Sequence, residues 1–243
     1  MLIKTRGILL KTIKYGETSV IAEIYTEERG LRKYTINGVR SKKARIHASL
    51  LQVMSLLEMV VYNREDRELN HVKEIRPAHV YQSIPFDIKK SAIALFIAEV
   101  IRKTIRESEE NKPLFDFIFN TFQYLDTTNQ PIVNTHMYFI VELTAFLGFL
   151  PAGEYDETTP LFDLQEGTFV SNIPTHRHYL DEQLSQILDH LLHTDLAHCH
   201  EVKITAIQRR SLLQNLLDYY KLHMDFMPDI HSHQILHEVL SDS

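Results

Sequence analysis

The chain has no tryptophan, one cysteine and only seven glycines in 243 residues, and each scarcity removes a class of function. Cys199 alone can build neither an internal disulfide framework nor a zinc site based on paired cysteines. Without an indole, any base stacking falls to tyrosine, phenylalanine, histidine or arginine. No two glycines have the spacing of a P-loop or a dinucleotide fingerprint, and no G-x-S-x-G elbow occurs. No apolar run approaches the roughly 20 residues that span a bilayer. The opening MLIKTRGILLKTIKY is too charged and too interrupted to read as a signal peptide, so the expected location is cytoplasmic. The apolar share of 44% is enough for a proper core in one large domain or two ordinary ones.

What the chain does have is a divided charge. Residues 1–80 hold 15 basic and 9 acidic side chains, a balance of +6, whereas residues 81–243 hold 11 and 23, a balance of −12. A basic module joined to an acidic one suggests polyanion binding at one end and a different task at the other.

The segmentation changes at the same place. Up to about Pro77, short apolar segments rich in β-branched and aromatic residues alternate with turn signals, which predicts strands at Gly7–Lys14, Ser19–Thr26, Leu31–Asn37, Gln52–Tyr62 and Leu69–Arg76. In the second, Val20, Ala22 and Ile24 share one face and Glu23 takes the other. Gly30 closes the turn that follows. Five short strands with one long basic loop between the third and fourth predict an OB-fold barrel. Beyond Pro85, helical spacing predicts amphipathic helices over Phe86–Ser108, from Pro113 through Leu125, from Pro131 to Gly148, and near Leu180–Leu192, Ile204–His223 and Ile230–Leu240. The expected fold is therefore α+β and multi-domain: an OB-fold nucleic-acid-binding domain over residues 1–80 and a mainly α-helical domain over residues 81–243.

The run NGVRSKKAR concentrates four cations, Arg40, Lys42, Lys43 and Arg45, with no acidic residue among them. Such density is self-repelling unless counter-ions or phosphates lie near. Arg32, Lys33, Lys11 and Lys14 are candidates to extend the patch, and Tyr15 and Tyr34 to stack on bases. A charge run also suits a merely solvated loop, so both readings stand on composition alone.

In that order, these features resemble the RecO family of bacterial recombination mediators. The resemblance is carried by ILLKTIKYGETSVIAEIYTEERGLRKYTINGVRSKKAR (Ile8–Arg45), with its Tyr15-Gly16-Glu17 turn, its Thr26–Gly30 turn and its glycine before a basic loop. Leu51-Gln52 opens the fourth strand, and Glu142-Leu143 with Leu147-Gly148-Phe149-Leu150-Pro151 resemble the family's E-L-x-x-L-G-(Y/F)-x-P, with three residues here rather than two between the leucines. The resemblance implies an N-terminal OB fold that binds single- and double-stranded DNA and anneals complementary strands. It further implies help in loading the RecA recombinase onto DNA covered by single-strand-binding protein, with RecR and the C-terminal tail of single-strand-binding protein as partners; the missing catalytic motifs separately favour non-enzymatic binding. Many relatives carry a four-cysteine zinc module after that motif. The corresponding segment here, Ala152–Thr175, has no cysteine, which predicts a metal-free hairpin held by Phe162, Leu164, Phe169 and Val170.

Ten of the fourteen histidines lie from His176 onward, and His233 and His237 would sit one turn apart on a helix. No third ligand is evident in sequence, so no metal and no other cofactor is assigned, and a metal-dependent hydrolase built on these histidines is the weakest reading. Cys199 lies between two histidines that point about 100° away along a helix, which favours a structural thiol over a nucleophile. Paired acids such as Glu27-Glu28, Glu65-Asp66 and Glu109-Glu110 fall in turns or at helix ends, where solvated charge explains them. The alternative to a DNA-binding mediator is an adaptor whose helical domain docks partner proteins with little DNA affinity of its own.

Overall fold

The structure is a computed structural model that describes residues 2–39, 48–62 and 68–241. Five strands, β1 (Leu2–Tyr15), β2 (Ser19–Thr26), β3 (Gly30–Ile36), β4 (Leu56–Tyr62) and β5 (Leu69–Pro77), close a barrel in the order β1-β2-β3-β5-β4. All pairings are antiparallel except β3 with β5, which is parallel, as in an OB fold. Alternation builds the core: Leu9, Val20, Ala22, Ile24, Tyr34 and Ile36 point inward from one half of the barrel and Leu57, Met59 and Val61 from the other. The five expected strands are therefore all present. The first is longer than its apolar pattern suggests, because its opening half pairs with β4 and its closing half with β2, with a register shift between Leu9 and Lys11. The fourth begins at Leu56 rather than at Gln52, since Gln52–Ser55 forms a turn, with the Ser55 N–H donating to the Gln52 carbonyl and Met54 at a φ of 77°.

Six helices follow among the described residues: α1 (Ile88–Thr104), α2 (Lys112–Thr127), α3 (Thr135–Leu147), α4 (Glu182–Leu192), α5 (Ala206–His223) and α6 (Ser232–Val239). The fold is α+β, a barrel followed by helices. In space the chain groups into two compact units. Met1–Phe86 and Ile101–Thr127 form one compact unit, and Asp87–Val100 and Thr128–Ser243 the other.

Helix α2 joins the barrel unit because its amphipathic face finds an apolar and ion-paired seat there. Phe115 packs against Tyr25, ring centroids 6.0 Å apart, and both are buried. The Arg6 guanidinium lies over the rings of Phe115 and Phe119 at 5.1 and 4.8 Å. It also donates through Nε and Nη2 to Glu27, each at 2.8 Å, and through Nη2 to Asp116 at 2.7 Å. Hydrogen bonds from Arg6 hold the Glu27 carboxyl down to about 2; burial opposes this and Lys112, 3.2 Å away, assists it.

In the second unit α3 is buried on nearly every side and stops at Gly148, whose positive φ of 87° and N–H to the Thr144 carbonyl close the last turn. Asp181 caps α4 by accepting from the Leu184 N–H, and Thr205 with Gln208 forms a capping box on α5. The cysteine-free segment does form a hairpin, β6 (Leu161–Asp163) with β7 (Thr168–Val170), and a third strand, β8 (Tyr179–Leu180), completes the sheet. Phe162 and Leu164 are almost fully buried and Phe169 nearly so, while Val170 is half-buried. The Phe162 ring meets those of Phe169 and Tyr219 at 5.0 and 5.8 Å, so aromatic packing holds this sheet together.

Candidate nucleic-acid interface

Strand register decides which of the candidate cations share a surface. Lys11 lies across from Glu23, and Glu23 across from Lys33, so the three form one row on the outer side of β1, β2 and β3. The next row along the same face is Ile13, Ile21 and Thr35, and beyond it Tyr15 pairs with Ser19. Ile13 is 45% exposed and Tyr15 50%, unusual values for such side chains on a strand. Lys14 alternates to the other side of β1 but is exposed at the strand's end.

The stem of the basic loop leaves from this same end of the barrel. Ser19 Oγ donates to Asn37 Oδ1 at 3.1 Å, and Gly38 takes a φ of 73°. Arg40, Lys42, Lys43 and Arg45 lie outside the described residues. What the structure brings together is thus an aliphatic and aromatic strip, Ile13 and Tyr15, in line with Lys11 and Lys33, with Lys14 exposed on the other side of β1 at the same end of the barrel. Glu23 tempers the charge in the middle of the row.

Two expectations change. Arg32 is not part of this face, because it shares a side of β3 with Tyr34 and its Nη2 donates to the Ser108 carbonyl at 2.6 Å. Tyr34 is not a stacking platform: it is 1% exposed within the barrel core, where burial raises its pKa. Period-2 alternation from Glu23 through its partners was the signal that would have placed both residues. Nothing in the sequence singles out Ile13, because an apolar residue on a strand ordinarily reads as core.

The helical unit offers a second kind of surface. A pocket of about 260 Å³ between α3, α5 and α6 is lined by His136, Ile207, Arg209, Arg210, Leu236 and Leu240, among others. Arg209 is 6% exposed and donates to Asn134 Oδ1 and to the Ile204 carbonyl. His136 is 1% exposed and its Nδ1 finds no hydrogen-bond partner among the described residues. Burial, with Arg209 and His237 nearby, pushes its pKa down to about 3, so the imidazole is neutral. The pocket therefore joins an apolar floor to two guanidinium groups, a setting suited to a chain carrying both apolar side chains and a carboxylate.

Among the described residues no group of three or more His, Cys, Asp or Glu side chains is arranged to hold a metal. His233 and His237 meet edge to face, ring centroids 5.7 Å apart, and His233 Nδ1 is engaged with the Ile230 carbonyl. Cys199 is 1% exposed, its Sγ donates to the Leu196 carbonyl, and burial pushes the thiol up to about 11. That is the setting of an inert structural thiol. No helix among the described residues is long and apolar enough to cross a membrane.

Residues 1–81 match the family described as "Recombination protein O N terminal", and residues 85–229 match "Recombination protein O C terminal". The chain is similar over its whole length to curated proteins named "DNA repair protein RecO". It is 32% identical over 241 residues to that of Phocaeicola vulgatus, covering 99% of this chain and 100% of the other. It is 34% identical over 240 residues to that of Christiangramia forsetii and 35% identical over 240 residues to that of Bacteroides fragilis, in both cases covering 98% of this chain and 99% of the relative.

Proposed function

The chain belongs to the RecO family and has a role in DNA repair and recombination, and from that premise we propose that it works by holding DNA on its barrel. The reading is a cytoplasmic, non-catalytic mediator that binds single- and double-stranded DNA and anneals complementary strands. It also assists RecA loading where single-strand-binding protein covers the DNA, with RecR as a further partner. The observation that carries it is the exposed Ile13 and Tyr15 strip beside Lys11 and Lys33, at the end of the barrel where Ser19 bonds Asn37 and Lys14 is exposed. Cations there would neutralise strand phosphates and lower the repulsion that opposes pairing with a complement, a mechanism that needs no nucleotide hydrolysis.

The test is fluorescence anisotropy of a labelled single-stranded oligonucleotide across a salt series. With about five phosphates contacted, log affinity should fall against log salt with a slope near −3.5, using roughly −0.7 per contact. Sequence preference should be slight, because phosphate contacts position a chain without reading bases. Replacing Arg40, Lys42, Lys43 and Arg45 with alanine should weaken binding and flatten that slope. Equal affinity and slope in the variant would remove the loop from the DNA path.

The adaptor reading is favoured by a separate observation, the apolar pocket with Arg209 and Arg210 at its edge. An acidic peptide ending in apolar residues, such as the C-terminal tail of single-strand-binding protein, would set its side chains against Leu236 and Leu240 and its carboxylate near Arg210. Arg210→Glu should weaken capture of such a peptide by about tenfold or more while leaving the fold intact, since this side chain is exposed. Unchanged peptide affinity by calorimetry would rule this pocket out as the tail site.

A further inference from the structure

The barrel carries a second exposed strip that the reading above leaves unused. On the outer side of β1, β4 and β5, Leu2 lies across from Tyr62, and Tyr62 across from His71. Leu2 is 47% exposed and Tyr62 46%, and His71 is also exposed. Directly opposed residues on neighbouring strands sit about 5 Å apart, so these three side chains form one continuous surface with no acidic residue in the row. Lys4 follows Leu2 on the same side of β1, and a groove of about 590 Å³ beside it is lined by Lys4, Val60, Lys73, Glu74 and Arg76, among others.

We propose that this strip holds a second single strand of nucleic acid, stacked on Tyr62 and His71 with its phosphates against Lys4 and Lys73. The inference rests on the reading of the β1–β3 face as the site of the first strand. Both strips belong to one belt of cross-strand partners around the barrel, Leu2, Tyr62, His71, Thr35, Ile21 and Ile13, in which the buried Thr35 separates two exposed ends. A strand on each end of that belt would be tethered to one small domain. Pairing then proceeds at an effective concentration that free strands do not reach.

The electrostatics favour a weaker hold here than on the first face. Arg76 is occupied by Glu58, with Nε to Oε2 at 2.8 Å, and Lys73 lies 3.5 Å from Glu74. Stacking therefore supplies more of the affinity, and base–aromatic stacking tolerates any sequence. That suits a strand that must leave once it has found its complement.

The experiment compares wild type with Lys4→Ala/Tyr62→Ala/Lys73→Ala, three outward-facing changes, in strand stoichiometry at low salt and in the annealing rate of dye-labelled complementary oligonucleotides. Wild type should bind two short strands per chain, and the variant one, at the affinity of the tighter site. Annealing by the variant should be slower by about tenfold or more. Photo-crosslinking with 5-bromouracil strands at saturation should label Tyr62 or His71 as well as Tyr15. If wild type binds and anneals but the variant matches it in both, or crosslinks stay on the β1–β3 face, the second site is overturned. If wild type binds no single strand at all, the nucleic-acid reading of the barrel fails first.

Discussion

Replacing Asp126 with alanine should destabilise the barrel unit by about 3–5 kcal/mol, the range for stripping one partner from a buried, charged hydrogen-bond cluster. The Asp126 side chain is fully buried at the end of α2. It accepts from the backbone N–H groups of Gln82, Ser83 and Ile84 at 2.8–3.0 Å and is 2.8 Å from His79 Nε2. One carboxylate thus satisfies three amides of the segment that follows the barrel and fixes that segment to α2. Alanine would leave those donors without an acceptor, so a fall in melting temperature of about 10 °C or more is expected by calorimetry. A shift within about 2 °C would show that the turn at residues 82–84 finds other acceptors.

The same cluster sets an acid limit. Burial alone would raise the Asp126 pKa, but the amides of Gln82, Ile84 and Ser83 and the His79 side chain outweigh it and lower the group from 3.8 to about 2. The folded value lies below the unfolded one, so this stabilisation is complete above pH 3.8 and disappears as pH falls towards 2. Glu27, lowered from 4.5 to about 2, adds a loss over an overlapping window. Asp126→Asn removes one contribution only. Its stability deficit relative to wild type should therefore narrow between pH 5 and pH 2, by about 2 kcal/mol in urea titrations.

Asp126 also shows where sequence reasoning stops. The strands were legible because alternation is local: Val20, Ala22 and Ile24 against Glu23 announce an inward and an outward face within a few residues. The hairpin without cysteines was legible because Phe162, Leu164 and Phe169 flank a turn at Gly167. Nothing near Asp126 says that its acceptors serve amides some 42 residues earlier, since a polar residue in the last turn of a helix is ordinarily solvated. The grouping of α2 with the barrel was hidden for the same reason. It depends on Arg6 reaching Asp116, 110 residues away. The candidate site was half legible: the cations could be named from composition, but which of them share a face depends on register, which keeps Lys11 and Lys33 together and takes Arg32 and Tyr34 away.

Gly30 is the position at which a single methyl group should do the most damage, and Gly16 supplies its control. Both have left-handed backbones, with φ of 61° and 62°, so alanine at either pays the steric penalty of about 1–2 kcal/mol. At Gly16 a Cβ would meet nothing within 4 Å, and the penalty ends there. At Gly30 the same atom would lie 2.3 Å from the Glu109 carbonyl oxygen and 2.7 Å from that of Glu107, both backbone atoms that cannot rotate away. Relief requires the segment after α1 to move, and that movement strains the 2.9 Å bond from the Leu31 N–H to the Glu107 carbonyl and the Arg32 bond to Ser108. Overpacking adds about 1–3 kcal/mol and a lost hydrogen bond about 1 kcal/mol. Gly30→Ala should therefore destabilise by about 3–5 kcal/mol and Gly16→Ala by about 1–2 kcal/mol, read from urea midpoints at unchanged slope. Equal effects would mean that only the turn conformation matters and that residues 107–109 yield at no cost. A large gap would establish the β2–β3 turn as the seat on which the segment between α1 and α2 rests.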